Sequence, residues 1–182
     1  RAGRFGAVAL GAILATKTLL APWTLLLLFR TGALEALGPH LLPSFAQRLQ
    51  IWSFAVERTV EKPFFGWGLD ASRSFGLEVP LHPHDAALQL WLELGAVGAL
   101  IAAAFWLLLF RGLARLASRD RHAAAVGAAT AAAYFTVGAV SFGVWQEWWL
   151  AVGALAACGA ILYAGLRPSG ADERERTAPQ NL

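Results

Sequence analysis

Two histidines separated by one proline, His82 and His84, are the side chains in this sequence best suited to proton transfer near neutral pH. An imidazole there can take the proton from a hydroxyl as its oxygen attacks an electrophile. In an extended segment, residues two apart project to the same side, so the two rings are expected together. A metal is the other chemistry a histidine pair suggests. Zinc, however, needs roughly three or four ligands. Only His40 and Asp85 stand ready to add to the pair, and there is no cysteine pair and no His-x-x-x-His helix. Acid-base work is the better reading, with no metal and no other cofactor. The bland alternative is a histidine that caps the following helix or anchors it among headgroups.

Arg48 offers a permanently charged, planar guanidinium that can take two phosphate oxygens at once. Arg58 and Arg73 compete for that role, and a lone surface arginine is more often solvated than catalytic. Glu93 stands just inside an apolar run, where a carboxylate is costly unless paired. Arg48, Lys17 or a histidine are its candidate partners. An arginine, a histidine and a buried carboxylate near one membrane face are more specific together than any one of them, and would suit a lipid-linked diphosphate.

The elements that must position these groups follow from composition. With 57% hydrophobic residues and 15% charged ones, the chain is built for lipid rather than water. Apolar runs occupy 5–29, 91–110, 123–144 and 148–166. Each approaches the about 20 residues that a helix rising about 1.5 Å per residue needs to cross the hydrocarbon core. None shows the strict alternation of a barrel strand. The expected fold class is all-α, a polytopic integral membrane protein of about four transmembrane helices with a large outer loop over 30–90. Lys17 and Pro22 interrupt the first run. One span is the favoured reading there, against two short helices meeting near Lys17. Trp91, Trp145, Trp148 and Trp149 lie where an interfacial aromatic belt belongs.

Basic residues set the orientation. Arg111, Arg115, Arg119 and Arg121 crowd the 111–122 link, Arg1 and Arg4 precede the first run, and Arg167, Arg174 and Arg176 follow the last. The positive-inside rule assigns these to the cytoplasm and puts 30–90 on the far side. The net charge of +3 is thus spread over loops and gives no nucleic-acid stripe. The tail over 167–182 is polar and expected to be a disordered cytoplasmic segment. Cys158 is alone inside an apolar run, which excludes a disulfide framework and fits a small packing residue. With Arg1 first and no methionine, the chain is expected to be a fragment of a longer membrane protein, whose remainder would be its partner together with the bilayer.

Within the outer loop, Ser44 followed three residues later by Gln47 reads as a capping box. The helix it opens is expected to run to Glu61 or Lys62 and to carry an apolar stripe of Phe45, Leu49, Trp52, Val56 and Val60. That stripe could lie on the membrane surface or pack on the protein's own helices. Pro63 ends the helix, and Gly66 and Gly68 bracket Trp67 in a turn.

The segments Arg48-Leu49-Gln50-Ile51-Trp52, Glu61-Lys62-Pro63-Phe64-Phe65-Gly66-Trp67-Gly68, His82-Pro83-His84-Asp85 and Leu88-Gln89-Leu90-Trp91-Leu92-Glu93-Leu94-Gly95-Ala96-Val97-Gly98 together resemble, in order and spacing, the family of O-antigen ligases and O-antigen polymerases. Arg1-Ala2-Gly3 is similar to that family's Ser-Arg-Gly segment, and the Trp-rich final pair of runs is also similar. The resemblance implies the C-terminal portion of a large, metal-independent membrane glycosyltransferase of the bacterial inner membrane, active at its periplasmic face. Such an enzyme takes a glycan from undecaprenyl diphosphate and joins it to the lipid A core or to another glycan. It further implies that Arg48 lies near the diphosphate and that His84 acts at the acceptor hydroxyl, with Arg1 as a second arginine. His82, Arg58, Glu93 and Asp85 would then be supporting residues. Two departures stand out: Asp85 replaces the Asn usual after the motif histidine, and the stretch before the outer loop is short for the two spans usual there. The rival function is a non-catalytic transporter or assembly subunit that binds lipid-linked glycan on the same surface.

Overall fold

The computed structural model describes residues 2–166, which lie in helices joined by turns. Arg1 and the 167–182 tail are outside the described residues. The helices are α1 (Ala2–Arg30), α2 (Ala33–Leu37), α3 (Pro43–Glu61), α4 (Ala86–Leu116), α5 (Arg121–Gly138) and α6 (Glu147–Leu166). Three of them, α1, α4 and α6, are long and apolar enough to cross a membrane. The sequence reading expects a fourth span over 123–144. Instead α5 ends at Gly138 after 18 residues and opens on Arg121 and His122, behind the Asp120 cap that accepts from the His122 and Ala123 amides. Residues 139–146 form a turn.

α1 is one continuous helix through both Lys17 and Pro22. A proline in a helix interior withholds the N–H that the carbonyl four residues back needs. Here that carbonyl belongs to Thr18, and the indole N–H of Trp91 on α4 donates to it at 2.9 Å. Lys17 is balanced in the same way: its ammonium meets the Asp85 carboxylate at 2.8 Å, at the start of α4. The two residues that interrupt the apolar run are therefore both answered by α4. The helices also pack tightly, since a Cβ on Gly11 would lie 2.5 Å from the Cβ of Phe110. Ala7, Leu14, Phe110 and Ala114 form the core at that end, and Ala55, Val56, Leu88 and Leu92 form a second core where α3 crosses the start of α4.

The sequence reading needs two corrections in α3. Its N-cap is Leu42, with no side-chain cap, because Pro43 takes the first helical position, where its fixed φ and missing N–H cost nothing. Ser44 therefore caps nothing. The buried face is Ile51, Ala55, Val56 and Thr59, rotated from the expected stripe, and Phe45 and Val60 are exposed. The helix packs on α1 and α4 with that face. Of the tryptophans expected at the interface, Trp91 and Trp149 are buried, Trp149 stacks on Tyr134 at 4.3 Å, and Trp148 is exposed.

α4 breaks at Gly95, whose φ of 61° and ψ of −154° are not helical. The break removes the helical bonds from the Ala96 and Val97 amides to the Leu92 and Glu93 carbonyls. All four groups are taken up by the 62–68 turn. Trp67 and Gly68 amides donate to the Leu92 and Glu93 carbonyls, both at 2.9 Å, and the Ala96 and Val97 amides donate to the Pro63 and Phe64 carbonyls at 2.8 and 3.3 Å. The exchange is reciprocal, each chain giving two donors and two acceptors. Gly66 (φ 66°) and Gly95 sit where the backbones meet, and a Cβ on either would lie 2.4 Å from the other segment's main chain. Gly95→Ala should therefore lower stability by at least about 2 kcal/mol, through left-handed strain and collision together. Gly112→Ala, in open space on the same helix, should not. Thermal melts of the solubilised protein check the pair, and equal melting points would contradict the interlock.

Candidate active site

Arg48 and Trp52 are four residues apart on α3 and so share a face. Trp52 donates its indole N–H to the Pro83 carbonyl at 2.6 Å, which pins the His82-Pro83-His84 segment to α3. Arg48 donates from Nη1 to the Val140 carbonyl at 2.6 Å and lies over the Phe45 ring at 5.0 Å. One helix face thus grips both the histidine segment and the 139–146 turn.

The two rings are together, with centroids 4.2 Å apart. The reason differs from the expected alternation of an extended strand: His84 has φ 58°, a left-handed conformation. That turn brings the His84 amide onto Nδ1 of His82 at 3.2 Å. Nδ1 of His82 is therefore an acceptor, and its proton resides on Nε2. His82 is buried, with Gly143 against its ring, where a Cβ would lie 2.9 Å away. Burial, reinforced by repulsion from the Arg73 and Arg48 charges and from His84 whenever it carries a proton, lowers its pKa to about 4, so it is neutral at physiological pH.

His84 differs in exposure and in tautomer. Its Nδ1 lies 2.8 Å from the Ser141 carbonyl. A carbonyl oxygen only accepts, so Nδ1 carries the proton and Nε2 of the neutral ring keeps its lone pair. The ring is half-buried, whereas His82 is buried. His84 thus presents an unprotonated ring nitrogen, with the neutral ring of His82 beside it. The carbonyls that hold Arg48 and His84 belong to adjacent residues, Val140 and Ser141. This juxtaposition of a guanidinium and an imidazole with a free lone pair defines the site.

Asp85 begins α4 as its N-cap, accepting from the Ala87 and Leu88 amides at 2.9 and 3.0 Å while holding Lys17. The extra negative charge beside His84 is in this way paired with Lys17 and with helix amides. Glu93 is buried with 0% exposure, and its partners correct the expectation of a cation. Lys17 is committed to Asp85, Arg48 to Val140 and His84 to Ser141. Glu93 is held by the Asp70 amide, the Ser72 amide and hydroxyl, the Gln89 amide group and the Trp145 indole. Neutral donors are sufficient because a carboxylate accepting several N–H and O–H bonds is stabilised without a counter-ion.

Arg58 is placed apart from this cluster, ten residues along α3 from Arg48, or about 15 Å of helix rise. It pairs with Glu61 at 2.9 Å and covers Phe54 at 5.3 Å. Arg73 pairs with Asp70 on an exposed turn. Among the described residues, no group of three or more His, Cys, Asp or Glu side chains is placed to hold a metal ion. Trp52, Gln89 and Trp145 are polar anchors that the sequence-predicted site residues do not include. The available signal was the four-residue spacing of Arg48 with Trp52 and of Gln89 with Glu93.

The sequence profile of the O-antigen ligase family matches residues 2–103, more than half of the chain, and the chain belongs to that family. It is 32% identical to a Rickettsia conorii protein named "Putative polysaccharide ligase RC0486" and 29% identical to a Rickettsia felis protein named "Putative polysaccharide ligase", each match covering 61% of this chain. The chain spans 30% of the length of these relatives. No solved structure matches it. Family membership and the three apolar helices make it part of a multi-pass membrane protein.

The lowered pKa of His82 gives a signed expectation. Between pH 6.5 and about 4 the unfolded chain binds a proton at His82 that the folded chain refuses, so stability falls as pH falls through that window. The loss is complete below about 4. His82→Gln should flatten this part of the profile, measured by thermal melts of solubilised protein between the two pH values. An unchanged slope would contradict the assignment.

Proposed function

We propose that this chain carries the reacting groups of a membrane glycosyltransferase that moves a glycan from undecaprenyl diphosphate to an acceptor sugar at the periplasmic face. The acceptor is the lipid A core in ligation or another glycan in polymerisation. The observation that carries this reading is the anchoring of Arg48 and His84 on adjacent carbonyls, with Nε2 of His84 left as the proton acceptor. Family membership supports the substrate class, and the relatives' names support glycan joining.

The reaction is a single displacement. The acceptor hydroxyl oxygen attacks the anomeric carbon and forms the new glycosidic bond while the bond from that carbon to the diphosphate oxygen breaks. The bonding pair leaves with the diphosphate, and the hydroxyl proton passes to Nε2 of His84. The Ser141 carbonyl then faces an imidazolium, which it stabilises. Arg48, with one Nη committed to Val140, has its remaining N–H groups to balance the charge gathering on the leaving diphosphate. Neutral His82 supports the His84 backbone and adds no repelling charge. Asp85 and Lys17 fix the start of α4 beneath them. No step requires a metal. Arg1, as a second arginine at the diphosphate, belongs to the proposal through the family resemblance alone.

Membrane vesicles containing the full-length parent protein, supplied with lipid-linked donor and acceptor, test the reading. His84→Ala and Arg48→Ala should each lower transfer by about a hundredfold or more at unchanged membrane abundance. Arg48→Lys should recover only part, because the fork is lost. Arg58→Ala should transfer at close to the parent rate, and activity should survive excess chelator. Full transfer by either alanine variant would overturn the assigned roles.

A further inference from the structure

Arg48 and His84 are both aimed by the carbonyls of the 139–146 turn, so whatever holds that turn also holds them. Two side chains of α4, one helical turn apart and both buried, reach it. Gln89 uses both ends of its amide: Nε2 donates to Oε1 of Glu93 at 2.9 Å, and Oε1 accepts from the Val144 amide at 2.9 Å. Glu93 accepts the Trp145 indole N–H on Oε2 at 2.5 Å. Neighbouring residues of the turn are thus tied to α4 by two independent bonds, within five residues of the carbonyls that hold the reacting groups.

The chemistry of Glu93 is specific. Oε1 receives the Ser72 hydroxyl at 2.5 Å and Gln89 at 2.9 Å, and Oε2 receives the Asp70 amide at 2.9 Å and Trp145. Both oxygens face donors, so an amide at position 93 would turn its NH₂ against donors in either orientation. If this network served only α4, its bonds would close within the helix. Gln89 instead gives its carbonyl oxygen to a turn 55 residues away in sequence.

We infer that Gln89 and Glu93 are positioning residues of the transfer reaction: with Trp145 they latch the 139–146 turn to α4, and the latched turn holds the Arg48 guanidinium and the His84 imidazole in their reacting geometry. The inference rests on the preceding reading of Arg48 and His84. Neither latch residue touches the reacting atoms, and their effect is carried by the Val140 and Ser141 carbonyls.

The test uses the full-length parent protein in membrane vesicles with lipid-linked donor and acceptor, assayed across pH. Gln89→Leu removes both amide bonds at similar volume, Glu93→Gln is isosteric, and Trp145→Phe removes one N–H while keeping an aromatic ring. Each should lower transfer by about tenfold or more, the effect of losing a hydrogen bond to a charged group or of leaving buried donors unpaired. Gln89→Leu and Trp145→Phe should also move the acid limb of the pH–rate profile to lower pH, because a loosened turn takes the Ser141 carbonyl from the imidazolium. His82, Arg48, Arg73, Glu93 and the Lys17-paired Asp85, the charged and titratable groups of the cluster, are unchanged in those two variants, whereas Glu93→Gln removes a charge itself and is judged by its rate alone. A purely structural role would reduce the amount of folded protein and scale the whole profile without moving it. That outcome, or parent-level transfer with an unmoved profile, overturns the inference. If Glu93→Gln fails to accumulate, the milder Trp145→Phe decides by the same criteria. Transfer surviving in His84→Ala or Arg48→Ala would instead overturn the preceding reading, so the two failures are distinct.

Discussion

A helix that breaks partway along its length must hand its freed backbone groups to another partner, and in this protein that requirement organises everything around the site. Where α4 breaks at Gly95, two carbonyls and two amides are taken up by the 62–68 turn. Leu92, Glu93 and Gly95 are buried away from water, where unpaired backbone groups would cost several kcal/mol. The turn follows directly on the end of α3, so the break anchors α3, and α3 brings Arg48 and Trp52. The residue two before the break is Glu93, whose bonds gather the 70–72 segment and Trp145. Gly66 and Gly95 allow two main chains to meet where any side chain would intrude.

The same economy of partners explains the polar residues elsewhere in apolar surroundings. Lys17 would be expensive alone, and Asp85 would leave an unbalanced negative charge beside His84. Paired at 2.8 Å, they settle both problems and tie α1 to α4. Pro22 leaves the Thr18 carbonyl without its helical donor, and Trp91 supplies one. The histidines divide their work by environment: His82, enclosed, stays neutral, while His84, half-buried with Nδ1 on a carbonyl, keeps a lone pair on Nε2. The division is set by backbone as much as by side chains, since left-handed His84 turns its own amide onto His82.

Much of this was legible in the sequence where the physics is local. The all-helical class, the α3 limits between Pro43 and Pro63, and the nearness of His82 and His84 follow from periodicity, proline and spacing. Even there the mechanism can differ from the expected one, as with the left-handed His84 and the Pro43 start that leaves Ser44 without a capping role. Long-range polar pairing was not legible. Glu93 was expected to need a cation, yet its donors are backbone amides, a serine, a glutamine and an indole scattered over Asp70 to Trp145, and no spacing rule connects them. The apolar run continues through Phe142 and Val144 beyond the end of α5 at Gly138, so hydrophobicity alone overstates the helix. The chain turns at 139–146, where Gly143 packs on His82 and the carbonyls of Val140 and Ser141 meet Arg48 and His84.

Arg48 and His84, held by one turn, are proposed to flank one diphosphate-linked sugar. A structure of the full-length parent protein with undecaprenyl diphosphate bound tests it most directly. The expected result is diphosphate oxygens within about 3 Å of the Arg48 guanidinium, Nε2 of His84 facing the space where the anomeric carbon would lie, and both residues still on the Val140 and Ser141 carbonyls. A diphosphate bound away from Arg48, or His84 turned so that Nε2 faces protein instead of that space, would contradict it.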